Sequence, residues 1–199
     1  MPRRYLNVAF VVSIAVITGL VLPVVLNMDN PDDDTTQQVI AASWAQYGNM
    51  AELHAEADLI AAGIIGGTTE EGEEKIGEPR WGADYLYYTD FSFKVEQVIK
   101  GKEVKEIAIH QIGMSGEVQL ADDPLFRLDE NWILFLREYE PNKYFVLGGP
   151  QGRFKVIEGK VFSMDHVLPE EVMLPTDKTL EANGMDKEEF IQIIQDTKN

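Results

Sequence analysis

The positions in this 199-residue chain whose residue types could do chemistry are few: three histidines, one serine set among glycines, and a GGPQG stretch. His54, His110 and His166 are evenly spaced, but their flanks AELHAEA, IAIHQIG and SMDHVLP share nothing, so the spacing marks no repeat. None lies in H-E-x-x-H or H-x-H, the spacings that bring two imidazoles to one ion, so no metal and no cofactor is expected. Ser115 sits in GMSG, close to a nucleophile elbow. That motif needs G-x-S-x-G between a strand and a helix, whereas here glycine follows serine directly and Glu117-Val118-Gln119 starts no helix. Gly148 to Gly152 lacks the Lys-Ser/Thr of a phosphate loop. Carboxylates abound, yet no pair is marked as a tuned acid–base couple. With zero cysteines there is no thiol nucleophile and no disulfide. The expectation is a protein without a catalytic set.

The elements that carry these residues read as mostly β. Asn49 with Glu52 forms a capping-box pattern that opens a short helix, MAELHAEA. Val39 to Tyr47 is expected as a helical turn or two anchored by Trp44. ADLIAAGIIGG follows as a curved strand, its glycines suiting the bend. Thr68 to Asp84 carries six acids against Lys75 and Arg80 and reads as a long solvated loop; a cation loop lacks the D-x-D-x-D-G spacing. Tyr85 to Ile99 is the longest strand, with Phe91, Phe93 and Val95 on one side, Ser92, Lys94 and Glu96 on the other, and a slip at Gln97-Val98-Ile99 that predicts a bulge. KGK then predicts a corner, Gly101 supplying positive φ and the two lysines solvating it, before a strand from Val104 to Ile112. NWILFL, Asn131 to Leu136, reads as a strand covered on both faces. Pro141-Asn142-Lys143 and Glu158-Gly159 mark turns, Asp165 to Leu180 reads as irregular, and Asp186 with Glu189 opens a C-terminal helix whose apolar side is Phe190, Ile191, Ile193 and Ile194.

The N-terminus sets the compartment. Val8 to Leu26 is 19 residues without a charge, roughly 28 Å as a helix and close to the ~30 Å hydrocarbon core of a bilayer. Arg3 and Arg4 precede it and no acid comes before Asp29, so the N-terminus is expected in the cytoplasm and the remainder outside, on a single-pass uncleaved signal anchor. The competing readings are a cleaved signal peptide, disfavoured by the length of the run and the absence of a small-x-small exit, and a buried core helix. The expected organisation is a cytoplasmic tip and anchor over 1–28, an acidic juxtamembrane linker over 29–48, and an extracytoplasmic β domain over 49–199. Thirty-four acids against 17 bases, a formal net charge of −17, repel phosphates and argue against nucleic acid as a partner.

The order MAELHAEADLIAAGIIGG, FSFKVEQVIKGK, NWILFL and YFVLGGPQGRFKVIEGKV, over Asn49 to Ser163, resembles a group of exported, membrane-anchored bacterial proteins. The resemblance implies an OB-type barrel, closed or partly open, of five to six strands with a short preceding helix and a C-terminal helix, similar to netrin-like modules and the tissue inhibitors of metalloproteinases. Those inhibitors act through an N-terminal cysteine and disulfides, which this chain lacks, so their inhibitory residues have no counterpart here. The expected function is a non-catalytic binding module for an envelope protein, peptide or glycan, with an envelope-polymer hydrolase using carboxylates, or an inhibitor of secreted proteases, as alternatives. In such barrels the second and third strands and adjoining loops carry binding. The ligand-contacting candidates are therefore Lys94, His110, Gln151 and Arg153.

Overall fold

The computed structural model describes residues 22–26, 38–75, 85–164 and 184–197. Most of the apolar N-terminal run, the linker up to 37, the segment 76–84, and 165–183 with His166 lie outside the described residues, and with them most of the anchor and linker expectations. The described chain is mostly β, with a helix before and a helix after the main sheet.

In chain order the strands are β1 (Leu22–Leu26), β2 (Gln38–Ser43), β3 (Leu59–Lys75), β4 (Tyr85–Lys100), β5 (Glu106–Ile112), β6 (Val118–Leu120), β7 (Asn131–Glu140), β8 (Lys143–Val146), β9 (Arg153–Ile157), β10 (Lys160–Ser163) and β11 (Met185–Asp186). Helix α1 spans Met50–Glu56 and α2 spans Lys187–Asp196. The main sheet runs β11-β10-β9-β7-β3-β4-β5-β8, and β7 pairs β8 as well, so the hydrogen-bonded neighbours curl back into a ring of β3, β4, β5, β8 and β7. Its seam between β5 and β8 is parallel and three rungs long; all other ladders of the main sheet are antiparallel. A second sheet, β1-β2-β6, is hydrogen-bonded separately, with Val118 and Leu120 of β6 packed against Tyr87 and Ile112 of the main sheet.

Strand alternation sorts the apolar residues onto two sides. Leu59, Ala61, Phe91, Phe93, Ile107, Ile109, Trp132, Leu134 and Leu136 fill the inside of the ring. Ile60, Ala62, Ile99, Ile133, Phe135 and Phe154 point outward, where α1 (Met50, Leu53) and α2 (Phe190, Ile191, Ile194) cover them. Asn131–Leu136 is thus buried on both faces, as its unbroken apolar run predicts. Each of these large side chains contributes about 1.5–3 kcal/mol by leaving water. Both helices start on a side-chain cap: Glu52 N donates to Asn49 Oδ1 at 3.0 Å, and Glu188 N to Asp186 Oδ1 at 3.0 Å. Ile193 stays exposed instead of joining the apolar side of α2.

The curvature of β3 comes from register shifts against β4, two of which flank Ile99 and Glu96 and a third Gly66. The Ile99 irregularity falls inside the slip seen in the sequence. Gly63 has no room for a side chain, since a Cβ there would lie 2.2 Å from the Lys94 carbonyl oxygen. The KGK corner holds: Gly101 has φ +104°, and a Cβ would meet Asp58 O at 2.4 Å. Lys100, however, does more than solvate the turn. Its ammonium donates to His54 O at 2.6 Å and Ala55 O at 3.3 Å, binding the last carbonyls of α1.

Three expectations need correction. Thr68 to Lys75 is strand, not loop, because β3 continues as the partner of Tyr85–Phe91. Val39 to Tyr47 forms no helical turn: β2 runs to Ser43 and pairs β1 and β6. Its β-branched Val39 and Ile40 suit a strand better than a helix. Leu22–Leu26, the end of the apolar run, is likewise strand. No helix among the described residues is long and apolar enough to cross a membrane.

Candidate functional site

The long β3–β4 arm and the β5–β8 seam place one polar cluster on the outer face of the ring. Phe91, Phe93, Ile107 and Ile109 turn inward, so the alternate positions Tyr88, Asp90 and His110 face out, and the ladder sets Asp90 directly opposite His110. The same rung continues to β8, where Phe145 pairs with His110. The two-residue turn Pro141–Asn142, with Asn142 at φ 62°, swings Lys143 to the mouth of the cluster.

Asp90 is the centre. It is 1% exposed, and both carboxylate oxygens are taken: Oδ1 by His110 Nδ1 at 2.6 Å, Oδ2 by Lys143 Nζ at 3.1 Å. Thr69 Oγ1 donates to the Asp90 carbonyl at 3.1 Å. Such charge-assisted bonds are about twice as strong as neutral ones, and a buried carboxylate without them would be costly. Lys143 also lies 3.7 Å from Glu70, whose Oε1 accepts from the Tyr88 hydroxyl at 3.2 Å. The bond to Asp90 is the main cause holding the Lys143 ammonium above its ordinary pKa, with the Asp90 charge next. Desolvation, then the Glu70 charge, raises the Tyr88 phenol.

Rings surround this cluster. Tyr88 and His110 are 4.9 Å apart between centroids, His110 and Tyr139 5.5 Å, Tyr139 and Phe145 6.2 Å. The four rings make one row across β4, β5, β7 and β8, and Tyr139 and Phe145 are 42% and 36% exposed. With Nδ1 engaged by Asp90, the Nε2 edge of His110 is the one left for a ligand, an acceptor in the neutral ring and a donor in the imidazolium. What the arrangement offers is a fixed imidazole edge, a fixed ammonium and aromatic surface at Tyr139 and Phe145.

Of the four sequence candidates, only His110 belongs here. Lys94 is exposed on the same outer face, four residues further along β4 beyond Ser92 and Glu106, which are joined at 2.5 Å. Gln151 and Arg153 face inward. The Gln151 amide brackets Tyr47, accepting from its N–H at 3.0 Å and donating to its carbonyl at 3.2 Å. Arg153 is 1% exposed: its Nη1 donates to Asp123 Oδ1 and to Pro124 O at 2.9 Å, while its guanidinium lies 4.0 Å from the centroid of Phe126 and 4.8 Å from that of Trp132. Gln111 pins the same segment, donating to Asp123 O and Pro124 O and accepting from Phe126 N. This plug packs against the inside of the ring, with Arg153 spent on internal partners.

Ser115 is exposed in a turn closed by Met114 N to Val118 O at 2.8 Å, with Gly113 and Gly116 at positive φ, and no helix follows it. No group of three or more metal-capable side chains occurs among the described residues. The sequence reading missed Tyr88, Asp90, Tyr139, Lys143 and Phe145. Outward alternation on β4 marks the first two, but only the rung pairing reveals what they face. No family model matches the chain, and no curated protein matches it.

Proposed function

We propose that this chain is a membrane-tethered, extracytoplasmic, non-catalytic binding module that takes a protein, peptide or glycan ligand of the cell envelope on the Tyr88–Phe145 face. The observation that carries the reading is the chain of ring contacts, exposed at Tyr139 and Phe145 and half-buried at Tyr88 and His110, set beside a buried, fully bonded Asp90, which holds His110 and Lys143 in place before any ligand arrives. Preorganised groups lose little entropy on binding. The ring of pairings supports an OB-type barrel as the scaffold. Numbered in chain order, its strands follow one another around the ring as first, second, third, fifth, fourth, with third and fifth parallel. The proposed face then takes Tyr88 and His110 from strands two and three, where such barrels use their surface, and Tyr139 and Phe145 from strands four and five close to the turn that joins them. Kinship with netrin-like modules is at the level of fold only.

Immobilised full chain and its Tyr139→Ala/Phe145→Ala variant, exposed to envelope extract, test the site. The wild type retains a component that the variant does not; equal retention by both removes the face from consideration.

Export and tethering rest on Val8–Leu26 and the flanking arginines. A tether over Val8–Leu26 requires Leu22–Leu26 to leave its pairing with β2, because the same five residues cannot serve both. Protease added to intact cells degrades the domain while the full chain fractionates with membranes. A soluble mature form beginning near Asn27 contradicts the tether and spares export.

A further inference from the structure

We infer that the ligand of this face is an uncharged oligosaccharide, an inference that rests on the binding role proposed above and names its ligand class. A pyranose presents C–H surface on its two faces and hydroxyls around its rim. It is therefore matched by a π surface edged with donors and acceptors. The row Tyr88, His110, Tyr139, Phe145 supplies the first, its centroids 4.9, 5.5 and 6.2 Å apart in sequence. The second is supplied by the His110 Nε2 edge and by Lys143 Nζ, whose three N–H donors leave one over after Asp90 Oδ2 at 3.1 Å and Glu70 Oε2 at 3.7 Å. A hydroxyl both donates and accepts, so the rim hydroxyls of a sugar can satisfy the imidazole edge and the ammonium alike without bringing a charge to the patch.

The other ligand classes fit less well. A polyanion meets the exposed Glu70 at the patch and a net charge of −17 overall. A cationic peptide meets Lys143, which already neutralises Asp90 at 3.1 Å and approaches Glu70 at 3.7 Å. A folded protein partner needs about 800 Å² per side around an apolar centre. Here Tyr139 and Phe145 are the two exposed rings, and Glu70 on β3 and Arg137 and Glu138 on β7 are exposed charges.

The test is calorimetric titration of the full chain with cellohexaose, chitohexaose and maltohexaose, with a decalysine peptide and a heparin hexasaccharide as charged comparators. At least one uncharged hexasaccharide saturates the protein. Tyr139→Ala and Phe145→Ala each weaken it about ten-fold or more, as loss of a central aromatic contact does, and Tyr139→Phe retains most of it. Both side chains are exposed, and circular dichroism confirms that the variants fold. Saturation by none of the three overturns the inference. Binding of decalysine that is lost in Tyr139→Ala overturns the ligand class and leaves the binding face standing. Hexasaccharide binding indifferent to both alanine variants overturns the inference together with the face.

Discussion

Two regions of this molecule are built from the same parts and do opposite things. At the plugged end, Arg153 meets Asp123 with Phe126 and Trp132 against the guanidinium; on the outer face, Lys143 and His110 meet Asp90 with Tyr88, Tyr139 and Phe145 alongside. Each has a carboxylate that is all but fully buried. The difference lies in the partners. Arg153 is sealed at 1% exposure, whereas the Lys143 side chain is 36% exposed. A cation–carboxylate–aromatic set is therefore a structural clasp when every member is inside. In the function proposed above it serves as a receptor when the carboxylate alone is inside and its partners reach water.

The largest effect should come from breaking the clasp. Arg153→Ala leaves the Asp123 carboxylate buried without a cation, and urea denaturation should show a loss of about 3–5 kcal/mol. A loss under about 1 kcal/mol would mean that the two regions are not different in kind. Gly149→Val comes next. Gly149 has φ 54°, and a Cβ there would lie 2.4 Å from Trp44 Cδ2, whose indole donates to Asp122 at 3.2 Å. About 1–3 kcal/mol should be lost through steric overlap and left-handed backbone strain. At the KGK corner, Lys100→Gln should cost up to about 1 kcal/mol by releasing the C-terminal carbonyls of α1. Lys102→Gln should stay within about 0.5 kcal/mol.

Titration sharpens the contrast with the smallest effect. At the plugged end, burial is the main cause raising the Asp122 carboxyl above its ordinary value, and its Oδ1 is buried with no hydrogen-bond partner among the described residues. A raised folded-state pKa contributes stability that is fully present below the unfolded carboxylate value and is lost as pH rises through the folded one. Asp122→Asn should therefore raise the melting temperature slightly near neutral pH and leave it unchanged in strong acid. On the outer face the raised groups are Lys143 and Tyr88. By the same sign their contribution is present at neutral pH and is lost only in alkali. Thermal melts across the pH range check both.

The sequence made the scaffold legible where local signals suffice. Alternation at Phe91 and Phe93, the slip near Ile99, positive φ at Gly101 and the caps at Asn49 and Asp186 all lie within a few residues of their cause. It failed where one segment's fate depends on a distant one. Thr68 to Lys75 looks like solvated loop because its acids outweigh everything else, yet pairing with β4 makes it strand. Gln151 and Arg153 flank a glycine-rich turn, which suggests exposure. Tyr47, Asp123 and Pro124, all at least 27 residues away in sequence, draw them inward. His110 was visible as an outward residue, but Asp90 and Lys143 became its neighbours only through the registers of β4 and β8.

The central claim, that ligand meets the outer face and never the clasp, is tested most directly by chemical-shift mapping of the full chain titrated with the best-binding hexasaccharide. The account predicts saturating shifts at the ring protons of Tyr88, His110, Tyr139 and Phe145, with the Arg153 Nε–H and Trp132 indole resonances unmoved. Shifts centred on Arg153 and Trp132, with the four outer rings silent, would contradict it.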